Sequence, residues 1–378
     1  MKTTLTILYM LAFLSLRSQN MYVYLGEYKS DPLCVRFDGD GELYPDYNVP
    51  IDKGCNIGSS DRSFVNYMYD KDCPMRSEIL KAYNLSPTLT FEQIQKEIVK
   101  KKIEQINLEL KNQSIDNVTF LMVGFNNHYS ITGSADCANV KLTALRKKIS
   151  DVLALSHKRT LFVDVYWDGT ESEKEGLYTA LHLSNAGVNS FWVGLGLREI
   201  INGLACDTVQ MISHSLGANI ITESIFNQNS KISSNRFKRE LKEYRDIIPI
   251  PTKTFSVGLI APAIPGVSTF IDYLNSSKSN NTNCTFVIGY NTNDLSLNKQ
   301  FLFFPKNPKH FSSTSLGCVR AEVEEVENMF KNDYPKMGTF KKIDFSIYNG
   351  TPQYIHDLEA YMLEPQYVEM LKQVYNIH

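Results

Sequence analysis

From Val118 onwards, short β-branched or aromatic runs alternate with stretches of helical period, and this alternation restricts the fold more than any other feature of the chain. Val118 to Phe125, Thr160 to Trp167, Thr208 to Ile212, Thr254 to Ala263, Thr285 to Tyr290 and Lys341 to Tyr348 read as strands bounded by Gly, Asn, Asp or Pro. Between them, Val140 to Leu155, Phe191 to Leu204, Leu216 to Asn227 and Val319 to Phe330 read as helices, and Ile355 to Tyr375 as a closing helix interrupted at Pro365. Strands joined by helices of this length need right-handed crossovers, so the pattern predicts a mainly parallel sheet with helices on both faces. Ahead of this core, Met21 to Asn48 reads as a Tyr-rich strand hairpin turning at Asp38-Gly39-Asp40-Gly41, and Phe91 to Lys111 as a long charged amphipathic helix.

Composition narrows the class. With 378 residues, 43% hydrophobic and 21% charged, the chain can bury a sizeable core and is not intrinsically disordered. Lys and Arg number 39 against 41 Asp and Glu, so no basic excess is available to neutralise a phosphate backbone, and nucleic acid is set aside as a partner. The start Met1-Lys2-Thr3-Thr4 is followed by an apolar run from Leu5 to Leu16 that is too short to span a bilayer and suits a secretory signal processed near Ser18 to Asn20. The expected organisation is therefore a signal peptide over 1–20, an N-terminal segment over 21–115 packed on the core, and an alternating strand-and-helix core over 116–378. The expected location is secreted or periplasmic, with no stable membrane span once the signal is removed. Seven cysteines include no C-x-x-C pair and no zinc spacing, so no structural metal is expected. Cys34, Cys55 and Cys73 lie in a Gly/Asp/Tyr-rich segment where a cross-link would help most, with connectivity left open. Asp38, Asp40 and Glu42 alternate like the start of a calcium loop, but its twelfth position, 49, is Val, so the segment reads as a polar turn.

The chemistry gathers at Met211-Ile212-Ser213-His214-Ser215-Leu216-Gly217-Ala218, which follows a predicted strand and opens a predicted helix. A serine at such a corner is lifted clear of the sheet, and small neighbours two places before and after it, Ser213 and Gly217, let helix and strand backbones approach. N–H groups at the helix start point towards a developing negative charge, which makes the Leu216 N–H a natural oxyanion donor. Here the chain resembles the α/β-hydrolase superfamily, with S-H-S-L-G-A similar to its nucleophile elbow and Ser213 standing where a Gly is usual. Val123-Gly124-Phe125-Asn126-Asn127 resembles the H-G-[FY]-N-N oxyanion turn of a little-characterised bacterial group of α/β hydrolases, with Val123 in place of the His. Tyr166-Trp167-Asp168-Gly169 resembles that group's S-W-P turn. The resemblance implies an α/β-hydrolase fold, Phe125 as the second oxyanion donor, and Asn126 and Trp167 as substrate contacts; His214 adjoins Ser215 but points elsewhere on such a turn, where it would pack beside the elbow or contact substrate.

A nucleophilic serine needs a base, and the base needs an orienting acid. The superfamily's chain order is Ser, then Asp or Glu, then His, each on a loop after a successive strand. Asp294 follows the strand ending at Tyr290, in a G-x-x-D-like turn, and His356 follows the strand ending at Tyr348 and leads into a helix. Asp344 and Asp357 are the rival acids, and Asp294 leads because it alone follows a strand at the right place in the order. The resulting expectation is an exported serine hydrolase acting on small-molecule or lipid esters, esterase- or lipase-like, with catalytic Ser215, Asp294 and His356 and neither metal nor organic cofactor. A peptidase, thioesterase or acyltransferase would use the same triad, and a catalytically inactive binding protein on the same fold is the alternative of a different class. Gln228 to Pro251 and Ser296 to Phe340 are insertions that could shape a pocket, the second containing the apolar cluster Phe301 to Pro305.

Overall fold

Seven strands form one sheet: β1 (Cys34–Phe37), β2 (Asn117–Met122), β3 (Leu161–Trp167), β4 (Thr208–His214), β5 (Thr254–Ile260), β6 (Cys284–Tyr290) and β7 (Gly338–Asp344). Their spatial order is β1-β3-β2-β4-β5-β6-β7, and every neighbouring pair is parallel. The structure, a computed structural model, describes residues 33–45, 64–71, 73, 75–125, 138–167, 177–229, 234–280, 283–298, 314–333 and 337–377. The signal peptide over 1–20, Cys55, Asn126, Cys137 and the cluster Phe301 to Pro305 lie outside the described residues. Among those residues no helix is long and apolar enough to cross a membrane, and no group of three or more His, Cys, Asp or Glu is arranged to hold a metal ion.

The central strands are buried along nearly their whole length, as strands covered on both faces must be. The helices are α1 (Phe64–Met68), α2 (Met75–Ala82), α3 (Phe91–Gln113), α4 (Ala138–Ala154), α5 (Leu177–Gly203), α6 (Gly217–Ile225), α7 (Asn235–Ile247), α8 (Val267–Asn280), α9 (Ser315–Cys318), α10 (Arg320–Asn328), α11 (Leu358–Met362) and α12 (Pro365–Val374). The chain steps from β2 to β3 in one direction and from β3 onwards in the other. Right-handed crossovers therefore place α4 on one face and the later crossover helices on the opposite face. The packing agrees: α4 lies on β2 and β3 beside α12, which covers β5, β6 and β7, while α5 packs on α6 and α8 on α10. Because the crossovers leave β2 and β4 in opposite directions, the carboxyl ends of these two strands form the topological switch point at which open α/β sheets hold their ligands.

Several elements differ from the sequence reading, among them a helix, α7, inside the insertion Gln228 to Pro251, and three differ for a local reason. β1 is not one arm of a free hairpin; it joins the sheet edge parallel to β3, and the turn after it contributes a single antiparallel bridge between Phe37 and Leu43. In that turn the Asp38 carboxylate accepts the backbone N–H groups of Asp40, Glu42 and Val65, each at 3.0 Å, which is the polar-turn reading rather than a calcium loop. α5 begins well before Phe191, and its nearly uniform apolar sequence offers no helical period to read. α8, within the Ser- and Asn-rich stretch before β6, was not expected as a helix. The closing helix does break at Pro365, which starts α12 at a position where its missing N–H costs nothing. Beneath β6 and β7, Phe270 meets Phe286 and Phe340 edge-on at 5.0 and 5.4 Å between ring centres, anchoring the two strands whose loops carry Asp294 and His356.

Candidate active site

Ser215 occupies the corner between β4 and α6 with φ +56°, a left-handed conformation that a non-glycine residue adopts at a cost of about 1–2 kcal/mol. The corner is held by its backbone. The Ser215 N–H donates to Ile260 O at 3.0 Å, and Ser215 O accepts from Ala263 N at 3.0 Å and from Ala218 N at 3.1 Å. The end of β5 thus fastens the turn from both sides. A Cβ on Gly217 would lie 3.1 Å from Val123 O and 3.2 Å from Ser213 Cβ, so the small residues flanking Ser215 are needed where helix and strand meet.

Gly124 is tighter still. A Cβ there would lie 2.7 Å from Ser215 Cβ and 3.1 Å from Ser215 Oγ, so its hydrogen is required by the space the serine occupies rather than by an unusual backbone angle. The β2 exit turn, with Phe125 half-buried against the core, therefore runs directly beside the serine. On the other side, Leu216 opens α6. Ala218 and Asn219 are the first residues to donate within that turn, to Ser215 O and Leu216 O, so the Leu216 N–H belongs to the end of the helix that has no internal acceptor.

A continuous hydrogen-bonded chain leads from the hydroxyl inwards. Ser215 Oγ lies 2.8 Å from His356 Nε2, across 141 residues of sequence, and His356 Nδ1 lies 2.6 Å from Asp294 Oδ2. Asp294 is fully buried and His356 retains 18% side-chain exposure, so the chain runs from the protein interior to its surface. His356 stands between α11 and the short hairpin of β8 (Ile347–Tyr348) and β9 (Thr351–Pro352), whose Asn349-Gly350 turn has the two positive φ angles such a tight connection needs. The loops carrying Asp294 and His356 are stitched together: Leu295 N donates to Tyr354 O at 3.3 Å, and Asn291 Nδ2 to Gln353 O at 3.0 Å. The rival acids are engaged elsewhere, Asp344 with Tyr290 and Arg320, and Asp357 with Lys141 at 3.1 Å.

His214 is buried with its ring centre 4.7 Å from that of His356 and 6.0 Å from that of Tyr361, and its Nε2 has no hydrogen-bond partner among the described residues. Burial first, then the neighbouring His356 and Lys141, push it well below the ordinary histidine range, so it is a neutral ring packed against His356. Trp167 is also buried, and its indole N–H donates to Val123 O at 3.1 Å. That bond ties the end of β3 to the turn carrying Phe125 and holds the Val123 carbonyl in place.

Of the residues singled out from sequence, Ser215, Asp294, His356, Leu216, Phe125, His214 and Trp167 converge at the carboxyl ends of β2, β3, β4, β6 and the loop after β7, while Asn126 lies outside the described residues. Sequence reasoning missed Tyr361, whose hydroxyl donates to Asp294 Oδ2 at 2.8 Å, and Asn291, whose amide donates to that hydroxyl at 3.1 Å. Nothing in their sequence context marks them. The geometry suits removal of a proton from the serine hydroxyl by a half-buried imidazole oriented by a buried carboxylate.

No family model matches the sequence, and no curated protein matches it. A search of solved structures returns the periplasmic domain of a lipopolysaccharide acetyltransferase from Salmonella ser. Paratyphi A, with 10% identity and a TM-score of 0.22 over 74% of this chain and 95% of that one. A likeness of that size carries no argument about fold or activity.

Proposed function

We propose that the chain is a serine hydrolase of the α/β-hydrolase superfamily, similar to the bacterial group with the H-G-[FY]-N-N turn, and that it cleaves carboxylic esters through an acyl-enzyme. The observation that carries this reading is the Ser215–His356–Asp294 chain, with both links inside hydrogen-bond distance and the serine on a left-handed strand-to-helix corner. His356 takes the Ser215 proton as the oxygen attacks the ester carbonyl. Asp294 keeps the imidazole oriented and stabilises the imidazolium. The tetrahedral oxyanion is met by the N–H groups of Leu216 and Phe125, and one such donor contributes about 10²- to 10³-fold in rate. His356 then returns the proton to the leaving alcohol, and a water activated by the same imidazole releases the acid. The reading includes export, on the strength of the leader-like first twenty residues.

Turnover of an ester library graded by acyl chain length, measured for wild type and Ser215→Ala side by side, tests it. Hydrolysis of at least one ester class by wild type and none above background by the variant is the expected result. Equal rates in the two proteins would refute the assignment.

A further inference from the structure

We infer that Tyr361 is a fourth, positioning member of the relay: its hydroxyl shares the Asp294 carboxylate with His356 and sets how strongly that carboxylate holds the imidazole. The inference rests on the proposed role of Ser215, His356 and Asp294 and deepens it. Asp294 Oδ2 receives both the His356 ring at 2.6 Å and the Tyr361 hydroxyl at 2.8 Å, while Oδ1 receives the Leu297 N–H at 2.9 Å. The direction of the tyrosine bond is fixed. An amide nitrogen only donates, so the Asn291 Nδ2 contact at 3.1 Å occupies the Tyr361 oxygen as acceptor, and the hydroxyl proton is left to point at the carboxylate. Asn291 is itself held by its second amide bond to Gln353 O at 3.0 Å.

The phenol keeps its proton, because burial and the Asp294 charge push it far above the usual tyrosine range. Its ring is wedged edge-on against Phe345 at 5.4 Å and faces His214 at 6.0 Å, so the donor has little freedom to turn away. A neutral O–H on the same oxygen that accepts the imidazole N–H draws charge from that oxygen. Removing it concentrates charge on Oδ2 and strengthens the hold on the protonated imidazole. The other titratable groups nearby are Glu364, whose charge also acts on the Tyr361 phenol and whose own carboxyl burial raises to about 7, and Lys141 and Asp357, paired with each other at 3.1 Å; Glu364→Gln in the Tyr361→Phe background separates its titration from the acid limb.

The test compares wild type, Tyr361→Phe and protein with 3-fluorotyrosine installed at position 361, using the pH profile of fluorophosphonate labelling at Ser215 and the downfield proton resonance of the His356 Nδ1–H. In Tyr361→Phe the acid limb of the profile should move up by about one pH unit, the size expected for losing a hydrogen bond to a charged group. The labelling rate should fall several-fold and the resonance should move downfield. The fluorinated phenol, a stronger donor, should shift limb and resonance the opposite way; it also retains the ring, so it decides the matter if Tyr361→Phe folds poorly. An unchanged limb and resonance in both variants, with only a lower melting temperature in Tyr361→Phe, would overturn the inference and leave Tyr361 a packing residue. Absence of labelling in folded wild type would instead defeat the hydrolase reading, and the resonance would still report on the tyrosine.

Discussion

At the C-terminal end of α6 the Glu223 carboxylate receives Arg245 Nε and Nη2 at 2.8 and 2.7 Å, Arg198 Nη2 at 3.3 Å and the Gln228 N–H at 3.1 Å. At the N-terminal end of the same helix, Ser215, His356 and Asp294 form a second polar cluster. Both take polar groups out of water, yet they are finished differently. Around Glu223 the donors close back on the protein: Arg198 also reaches Phe226 O and Asn227 Oδ1, and Arg245 reaches Gln228 O and Asn229 Oδ1. Arg198 is fully buried, and burial lowers it to about 10, leaving it cationic against the carbonyl end of the helix, where a positive charge is favoured. The triad, by contrast, runs outward and ends on a hydroxyl held at a strained corner. One end of α6 is a closed ionic knot that fixes the helix; the other is an open chain that can give and take a proton. Burial of charge alone does not suggest a reactive site; the proposal of one rests on a hydrogen-bonded chain that terminates at a serine hydroxyl.

The sharpest way to break this contrast is to remove the base. His356→Ala should lower turnover of a short-chain nitrophenyl ester by at least about 10⁴-fold while leaving thermal stability nearly unchanged. Turnover retained in that variant would reassign the base. The converse holds at the closed end: Glu223→Ala strands two buried guanidinium groups and should destabilise the protein by about 3–5 kcal/mol in urea unfolding, with the remaining folded fraction still labelled at Ser215. A loss below about 1 kcal/mol would show that the knot is not what fixes the helix.

A smaller effect is expected from loosening the oxyanion turn. Trp167→Phe keeps a buried ring but removes the N–H that holds Val123 O, and should reduce kcat/KM about tenfold, short of the loss of a whole donor. An unchanged kcat/KM would detach Trp167 from the turn's positioning. The smallest effect concerns Glu364, which follows the base loop and α11. Burial raises its carboxyl from 4.5 to about 7, only partly offset by Gln353. Between those pH values the folded protein keeps a proton that the unfolded chain has lost. Its contribution to stability is therefore full below about pH 4.5 and is lost as pH rises through about 7. Glu364→Gln should remove this loss, gaining on the order of 1 kcal/mol over wild type at pH 8 relative to pH 5. Parallel pH dependences of unfolding for the two proteins would contradict it.

The contrast also explains what the sequence could disclose. Ser215 and its neighbours were legible because a strand, a corner and a helix are consecutive, and the small residues such a corner needs lie two places away on either side. Asp294 and His356 were legible through chain order, since each stands on a loop following a strand of the alternating pattern. Arg198, Glu223 and Arg245 were not, because they meet from three separate helices and each looks locally like a solvated charge. Tyr361 was hidden for the same reason: its bond to Asp294 spans 67 residues and leaves no local pattern. β1 was misread as a hairpin because turn chemistry at Asp38 to Gly41 is local, while its partner strand β3 is remote in sequence.

The proposed reactivity at the N-terminal end of α6 is tested most directly by treating the folded protein with a fluorophosphonate and mapping the adduct by mass spectrometry. The account predicts one covalent adduct, on Ser215, absent in Ser215→Ala and formed far more slowly in His356→Ala. Folded wild type that takes up no probe, or a Ser215→Ala variant labelled as fast as wild type, would contradict it.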